Sequence, residues 1–271
     1  MRLIKSTISD RFNNPHESWK RDIYLYAALL FYALIAVLTI IFSDATGGSG
    51  DSIKHYLFAR YAPQHPENFF VHWAKPVYVL LSTPFAQFGF TGIKIFNALC
   101  TFFTIVFTYR IAEKAGWKNY RLIPLFLIFA PLYYRLTFSG LTEPLFALFL
   151  SAVFYLIQKE KYIFAAVLLS FLPFVRSEGL LFIGLFGLFY LIKKQYKPIL
   201  FLITGHLIYA FAGLLVYDSV LWVFTRIPYN TLDSVYGSGN VFHFVKNLHV
   251  VVGIPVLILL ITGIAEMIRR I

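Results

Sequence analysis

The chain has 271 residues, of which 59% are apolar and only 14% charged, with a mean hydropathy of +0.69. That composition excludes an ordinary soluble domain and indicates a polytopic helical membrane protein. The formal net charge of +11 is then a matter of how Lys and Arg are shared between loops, not of nucleic-acid binding, and the single Cys100 excludes an internal disulfide.

Residues 1–22 form a polar, basic tail, MRLIKSTISDRFNNPHESWKRD. The apolar stretch at 23–43 is longer than a signal h-region, and no small-residue cleavage site clearly follows it, so it reads as a retained signal anchor. Further spans are predicted at 93–112, 122–138, 143–158, 162–175, 178–192, 198–217 and 249–268. The expected fold is an all-α transmembrane bundle of about eight spans. KPVYVLLSTPFAQFGF (75–90) is apolar but short, and Pro84 interrupts it.

Charge decides where that segment lies. If it does not cross, sixteen of the 24 Lys and Arg fall in the tail, in the loops at 110–121, 158–161 and 193–197, and at the C-terminal end. If it crosses, Arg110, Lys114, Lys118, Arg121, Lys193, Lys194 and Lys197 are among those that move outside, and the positive-inside bias collapses. It is therefore expected as an interfacial helix. The resulting layout is a cytoplasmic tail (1–22) and a module at 23–217 whose outer loop, 44–92, carries two juxtamembrane helices. A second outer loop (218–248) and a last helix with a cytoplasmic end (249–271) complete it.

The candidate chemistry concentrates on the outer face. Asp51 follows Gly47, Gly48, Ser49 and Gly50 and reads as the N-cap of a helix SIKHYLFARY. A carboxylate there serves equally as a proton acceptor, and both readings stand. Ile53, Tyr56, Leu57 and Tyr61 recur at helical spacing and are expected to face lipid or the bundle, leaving Lys54 and Arg60 toward water or headgroups. His72 and Lys75, one turn apart across a Trp, are donors for an anion or an ordinary interfacial anchor.

Farther along, Glu143 stands between Thr142 and Pro144, a helix-start pattern in which the dipole favours a carboxylate. Arg176 and Glu178 share a turn between two short spans, either closing a hairpin or marking a functional path. Residues 226–249, with Tyr, Asn and Gly, suit a loop that closes over a ligand and suit a plain connection equally. Asp51 and His55 have the i, i+4 spacing of a shared metal site, with His65 or His72 nearby. Without a dense ligand cluster no resident metal is expected, and a divalent cation is left open. The chain has no glycine-rich nucleotide loop, no H-E-x-x-H and no nucleophile elbow.

GDSIKHYLFAR, with its acidic residue ahead of H-Y-x-x-A-R, is followed in order by HWAKPVYVLLSTPFAQFGF, TEPLF and RSEGLLF. Behind a single span, this order resembles the GT-C superfamily of glycosyltransferases. The likeness is to its bacterial branch, which holds the lipopolysaccharide core galacturonosyltransferase-like domain, the aminoarabinose transferases and the protein mannosyltransferases. It covers roughly residues 23–200, that family's N-terminal helical module. The resemblance implies a sugar donor on polyprenyl phosphate and a glycan, lipid or protein acceptor at the outer face of a bacterial inner membrane. It implies inverting transfer with Asp51 as general base, Asp44 as substitute or helper, Lys75 and His72 facing the donor phosphate, and Arg176 as a further partner. His55, Arg60, Glu143 and Glu178 complete the expected substrate-binding set.

Two positions depart from the family pattern. The bacterial relatives usually carry a second acidic residue after the motif aspartate and a second proline after Lys-Pro, where this chain has Ser52 and Val77. The chain also stops after about eight spans where many relatives continue, so it reads as a shortened member or a fragment. The alternative is a non-catalytic transporter or a subunit of a glycan-export assembly, which places its essential ionisable groups near the bilayer midplane.

Overall fold

The computed structural model describes residues 15–46, 50–227 and 242–269, with side chains at 15–21, 243 and 244 excepted, and over these residues the protein is all-helical. The first predicted span is α1 (Pro15–Phe42). The loop after it carries the two expected helices, α2 (Gly50–Tyr61) and α3 (Pro76–Ala86), joined through a 3-10 turn at Pro66–Phe70. Helix α4 (Gly89–Lys114) then runs antiparallel to α1. Tyr32 Oη donates to Ala98 O at 2.9 Å, Lys94 Nζ reaches Ser43 O at one end, and Arg110 Nη1 holds Asp22 Oδ1 at 2.7 Å at the other. Asp22–Phe42 and α4 are long and apolar enough to cross a bilayer.

The span expected at 122–138 is broken into α5 (Ile123–Ile128) and α6 (Pro131–Thr137). Pro131 has no N–H to continue the helix, and its ring collides with the carbonyl of the preceding turn. Helix α7 (Glu143–Gln158) has the bounds its Thr-Glu-Pro start predicts. It is followed by α8 (Tyr162–Ser170), a 3-10 turn at Leu172–Phe174 and α9 (Gly179–Ile192).

The span expected at 198–217 is also divided, into α10 (Tyr196–Phe201), α11 (Thr204–Ala212) and the single turn α12 (Leu214–Tyr217). Another single turn, α13 (Trp222–Thr225), folds back on this junction, where Trp222 Nε1 donates to Tyr209 O at 2.9 Å. A Cβ at Gly213 would stand 2.2 Å from Trp222 Nε1, so only glycine allows the approach. The single turns α14 (His243–Lys246) and α15 (Leu248–Val251) precede α16 (Ile254–Arg269). Gly253, at φ 83, breaks the span expected at 249–268 before its second turn. Residues 228–241 of the second outer loop, in the stretch that suits a closing loop and a plain connection equally, lie outside the described residues, as does most of the N-terminal tail.

Of the two placements left open for the apolar residues of α2, the outward one holds for Ile53, Leu57 and Tyr61. Ser52, His55 and Ala59 are buried, whereas Ile53, Leu57 and Tyr61 are exposed. Small and polar residues thus bring α2 close to the bundle, and the apolar ones point outward. Periodicity locates two faces but does not say which one meets protein.

A buried polar cluster fixes the turn before α7. Asn97 Nδ2 donates to Ser139 O at 2.7 Å and to Leu141 O at 3.0 Å, and Tyr78 Oη donates to Gly140 O at 3.2 Å. Gly140 lies so near α2 that a Cβ on it would come within 2.4 Å of Ser52 O. Gly140→Ala is expected to lower stability by about 1–3 kcal/mol, since one of two packed backbones must shift. Thermal unfolding in detergent measures this, and an unchanged Tm would argue against the close approach.

The other end of the bundle collects basic side chains. Arg110 also holds Glu113 at 2.9 Å, Lys114 donates to Gln158 O, and Arg121 lies over Tyr24 at 4.5 Å. The loops predicted to be cytoplasmic by their charge therefore meet at one end, away from α2 and Gly140.

Candidate functional site

Four segments far apart in sequence converge on a cavity of about 500 Å3. Helix α2 contributes Asp51 and His55, the turn into α3 contributes Trp73 and Lys75, the start of α7 contributes Thr142 and Glu143, and the turn before α9 contributes Arg176 and Glu178. Six of the nine residues singled out in the sequence thus share one wall-to-wall space.

Asp51 lies in the first turn of α2, which begins at Gly50, so the cap position itself falls outside the described residues. Its carboxylate is half-buried, and among the described residues no hydrogen bond holds it. One turn on, His55 stacks on Trp73 with ring centroids 4.9 Å apart and an interplanar angle of 14°. Burial pushes His55 down to about 4, so near neutrality it is uncharged. The neutral ring donates from Nδ1 to Ala74 O at 3.2 Å, which leaves the other nitrogen as an acceptor.

Lys75 occupies a backbone conformation that L residues rarely adopt, φ 66 and ψ 91, immediately before Pro76 at the first position of α3. The proline pre-sets the helix start, while the strained residue turns its side chain across to the turn before α9. Lys75 Nζ donates to Ser177 Oγ at 2.8 Å. Burial pushes the ammonium down to about 8, with the charge of Glu178 opposing the shift and that of Arg176 adding to it.

Arg176 bridges two carboxylates. Its Nη1 is 2.5 Å from Glu143 Oε1 and its Nη2 is 2.7 Å from Glu178 Oε1. Nη1 also reaches Thr142 Oγ1 at 3.4 Å, so the hydroxyl at the start of α7 serves the arginine and caps no helix N–H. Burial pushes the Glu178 carboxyl up, but the Arg176 hydrogen bond, a backbone hydrogen bond and the charges of Arg176 and Lys75 together hold it below the usual carboxylate range. Glu143 Oε2 is buried without a hydrogen-bond partner among the described residues. A guanidinium fixed by two anions presents its remaining donors in a set direction.

Three expected site residues lie elsewhere. Asp44 is exposed beyond the end of α1. Arg60 donates to Ala86 O at 3.2 Å and to Gln87 O, fastening α2 to the C-terminal end of α3. His72 is buried between Phe174 and Trp222, at ring-centroid distances of 6.0 and 6.2 Å, with Nδ1 unpartnered among the described residues. Burial, followed by the charge of Lys75, holds His72 below its ordinary value. Sequence reasoning did not include Trp73, Thr142 and Ser177 in the site. All three stand beside residues it did include, in H-W-x-K-P, T-E-P and R-S-E.

Among the described residues, no group of three His, Cys, Asp or Glu side chains is placed to hold a metal ion. Asp51 and His55 lack a third donor, since Arg176 engages both glutamates of the cavity. What the residues offer is an ungripped carboxylate opposite two cations. That set suits a ligand with an anionic group and a hydroxyl to be deprotonated. No protein-family model, curated protein or solved structure matches the chain.

Proposed function

We propose that the protein is a GT-C-like glycosyltransferase of a bacterial inner membrane, with about eight spans and a cytoplasmic N-terminus. It moves a sugar from polyprenyl phosphate to a glycan, lipid or protein acceptor at the outer face. The observation that carries this reading is the convergence of Asp51, Lys75 and Arg176 on one cavity at the end of the bundle opposite the basic loops. The outward surface adds support: Leu30 on α1 is 74% exposed, and Leu34, Ile41 and Phe42 are also exposed, as lipid-facing helices require. The charged groups of the cavity, Asp51, Lys75, Glu143, Arg176 and Glu178, stand at helix starts and turns rather than at mid-helix, which favours surface chemistry over transport.

In this mechanism Asp51 accepts the proton of the acceptor hydroxyl as its oxygen attacks the anomeric carbon. The new carbon–oxygen bond forms while the bond to the lipid phosphate breaks, and polyprenyl phosphate leaves with the bonding electron pair. Lys75 and Arg176 stabilise the charge that grows on the departing phosphate. Glu143 and Glu178 orient Arg176, and Trp73 with His55 forms the wall beside the sugar.

The pH dependence follows from Lys75. The ammonium is charged below about 8, so donor affinity should fall as pH rises through that value. Arginine keeps its charge across the range, so Lys75→Arg should flatten the limb. Donor binding measured from roughly pH 6.5 to 9.5 tests this. A flat wild-type profile, or the same limb in Lys75→Arg, would remove Lys75 from the phosphate.

A further inference from the structure

At the end of the bundle away from Asp51, the turns after α7 and after α9 enclose a second cavity, of about 580 Å3. The two turns are built alike. In one, Glu160 N–H donates to Ile157 O and Lys161 N–H to Leu156 O, both at 2.9 Å. In the other, Lys194 N–H donates to Leu191 O at 3.0 Å and Gln195 N–H to Tyr190 O at 2.8 Å. This paired helix ending normally has glycine at its left-handed position. The turn after α4 follows that rule with Gly116 at φ 74, but here the positions are held by Glu160 at φ 59 and Lys194 at φ 55. Both strained residues line the same cavity.

Lys161, Lys194 and Lys197 are exposed on this lining, and among the described residues none of them forms an ion pair, even with Glu160 beside them. The rest of the lining is largely aromatic or apolar, with Tyr162, Ile163 and Phe164 on one side. Unpaired cations concentrate attraction for an anion, and the apolar share gives contact to a hydrocarbon chain. A free phosphate uses only the first of these. We infer that this cavity binds the headgroup phosphate of an anionic lipid from the leaflet opposite the Asp51 cavity, with part of an acyl chain against Ile163 and Phe164. The inference rests on the membrane placement proposed above and is independent of glycosyl transfer.

The test is native mass spectrometry of the purified full chain, released from detergent with phosphatidylglycerol or phosphatidylcholine added. Phosphatidylglycerol adducts are expected to form at about tenfold lower lipid concentration, and K161Q/K194Q/K197Q should abolish the preference. Lys118→Gln, an exposed lysine of the same end outside the cavity, should keep it. Lys194→Gly relieves the left-handed backbone, so it should fold at least as well as the wild type and still bind phosphatidylglycerol more weakly. Equal binding of the two lipids, or an intact preference in the triple variant, would overturn the site. Competition by inorganic phosphate as effective as that by the lipid would overturn the lipid assignment. Failure of the chain to enter bilayers at all would overturn the membrane placement along with it.

Discussion

Asparagine at position 51 is expected to slow sugar transfer by about a hundred- to ten-thousand-fold while leaving donor binding nearly unchanged. Asp51 lies in the first turn of α2, faces the cavity and accepts no hydrogen bond among the described residues. Its surroundings leave it free to take a proton, and the amide has the same shape without that capacity. A carboxylate in a first helical turn also interacts with the helix dipole, worth about 0.3–1 kcal/mol. The two roles separate experimentally. If Asp51 only supports the helix, Asp51→Asn loses a little stability and keeps its rate. If it is the base, the rate collapses and stability changes by no more than the dipole term. Single-turnover transfer and thermal unfolding on the same preparation decide between them.

Replacing Arg176 should weaken both structure and transfer. Arg176→Met leaves Glu143 and Glu178 without their shared cation and leaves Thr142 without its donor. Loss of charge-assisted hydrogen bonds of this kind lowers stability by about 1–3 kcal/mol. Transfer should fall by about a hundred- to a thousand-fold, as when a donor to a developing anion is removed. Arg176→Lys should recover part of the rate but little of the stability, because an ammonium does not bridge two carboxylates in the planar arrangement of a guanidinium. If Arg176→Met unfolded the chain, the lysine variant would still report on the charge. Full activity in both would place the donor phosphate elsewhere.

Local signals in the sequence carried much of this architecture. Thr142, Glu143 and Pro144 set the start of α7, because a proline at the first positions and a carboxylate near the dipole are properties of a few neighbouring residues. The two helices α2 and α3 are legible from a glycine-rich turn and a Lys-Pro start. Breaks at Pro131, Gly213 and Gly253 are not legible, since an apolar run reads as continuous whether or not its axis bends. The site was legible in membership more than in pairing. Arg176 was matched with Glu178, two residues away, but Glu143 is 33 positions distant and only the packing of α7 against the turn before α9 brings it in. The family resemblance puts Arg60 and His72 at the substrate, but the fold engages one with carbonyls and encloses the other in aromatic rings. Charge and aromaticity do not reveal such partners until the neighbouring segments are in place.

Reconstitution in proteoliposomes with labelled polyprenyl-phosphate hexoses and pentoses tests the central claim most directly. Wild-type protein should release polyprenyl phosphate and form a glycosylated product of inverted anomeric configuration, and Asp51→Asn should form almost none. Transfer that persists unchanged in Asp51→Asn, or its absence from the wild type across the donor and acceptor panel, would contradict it.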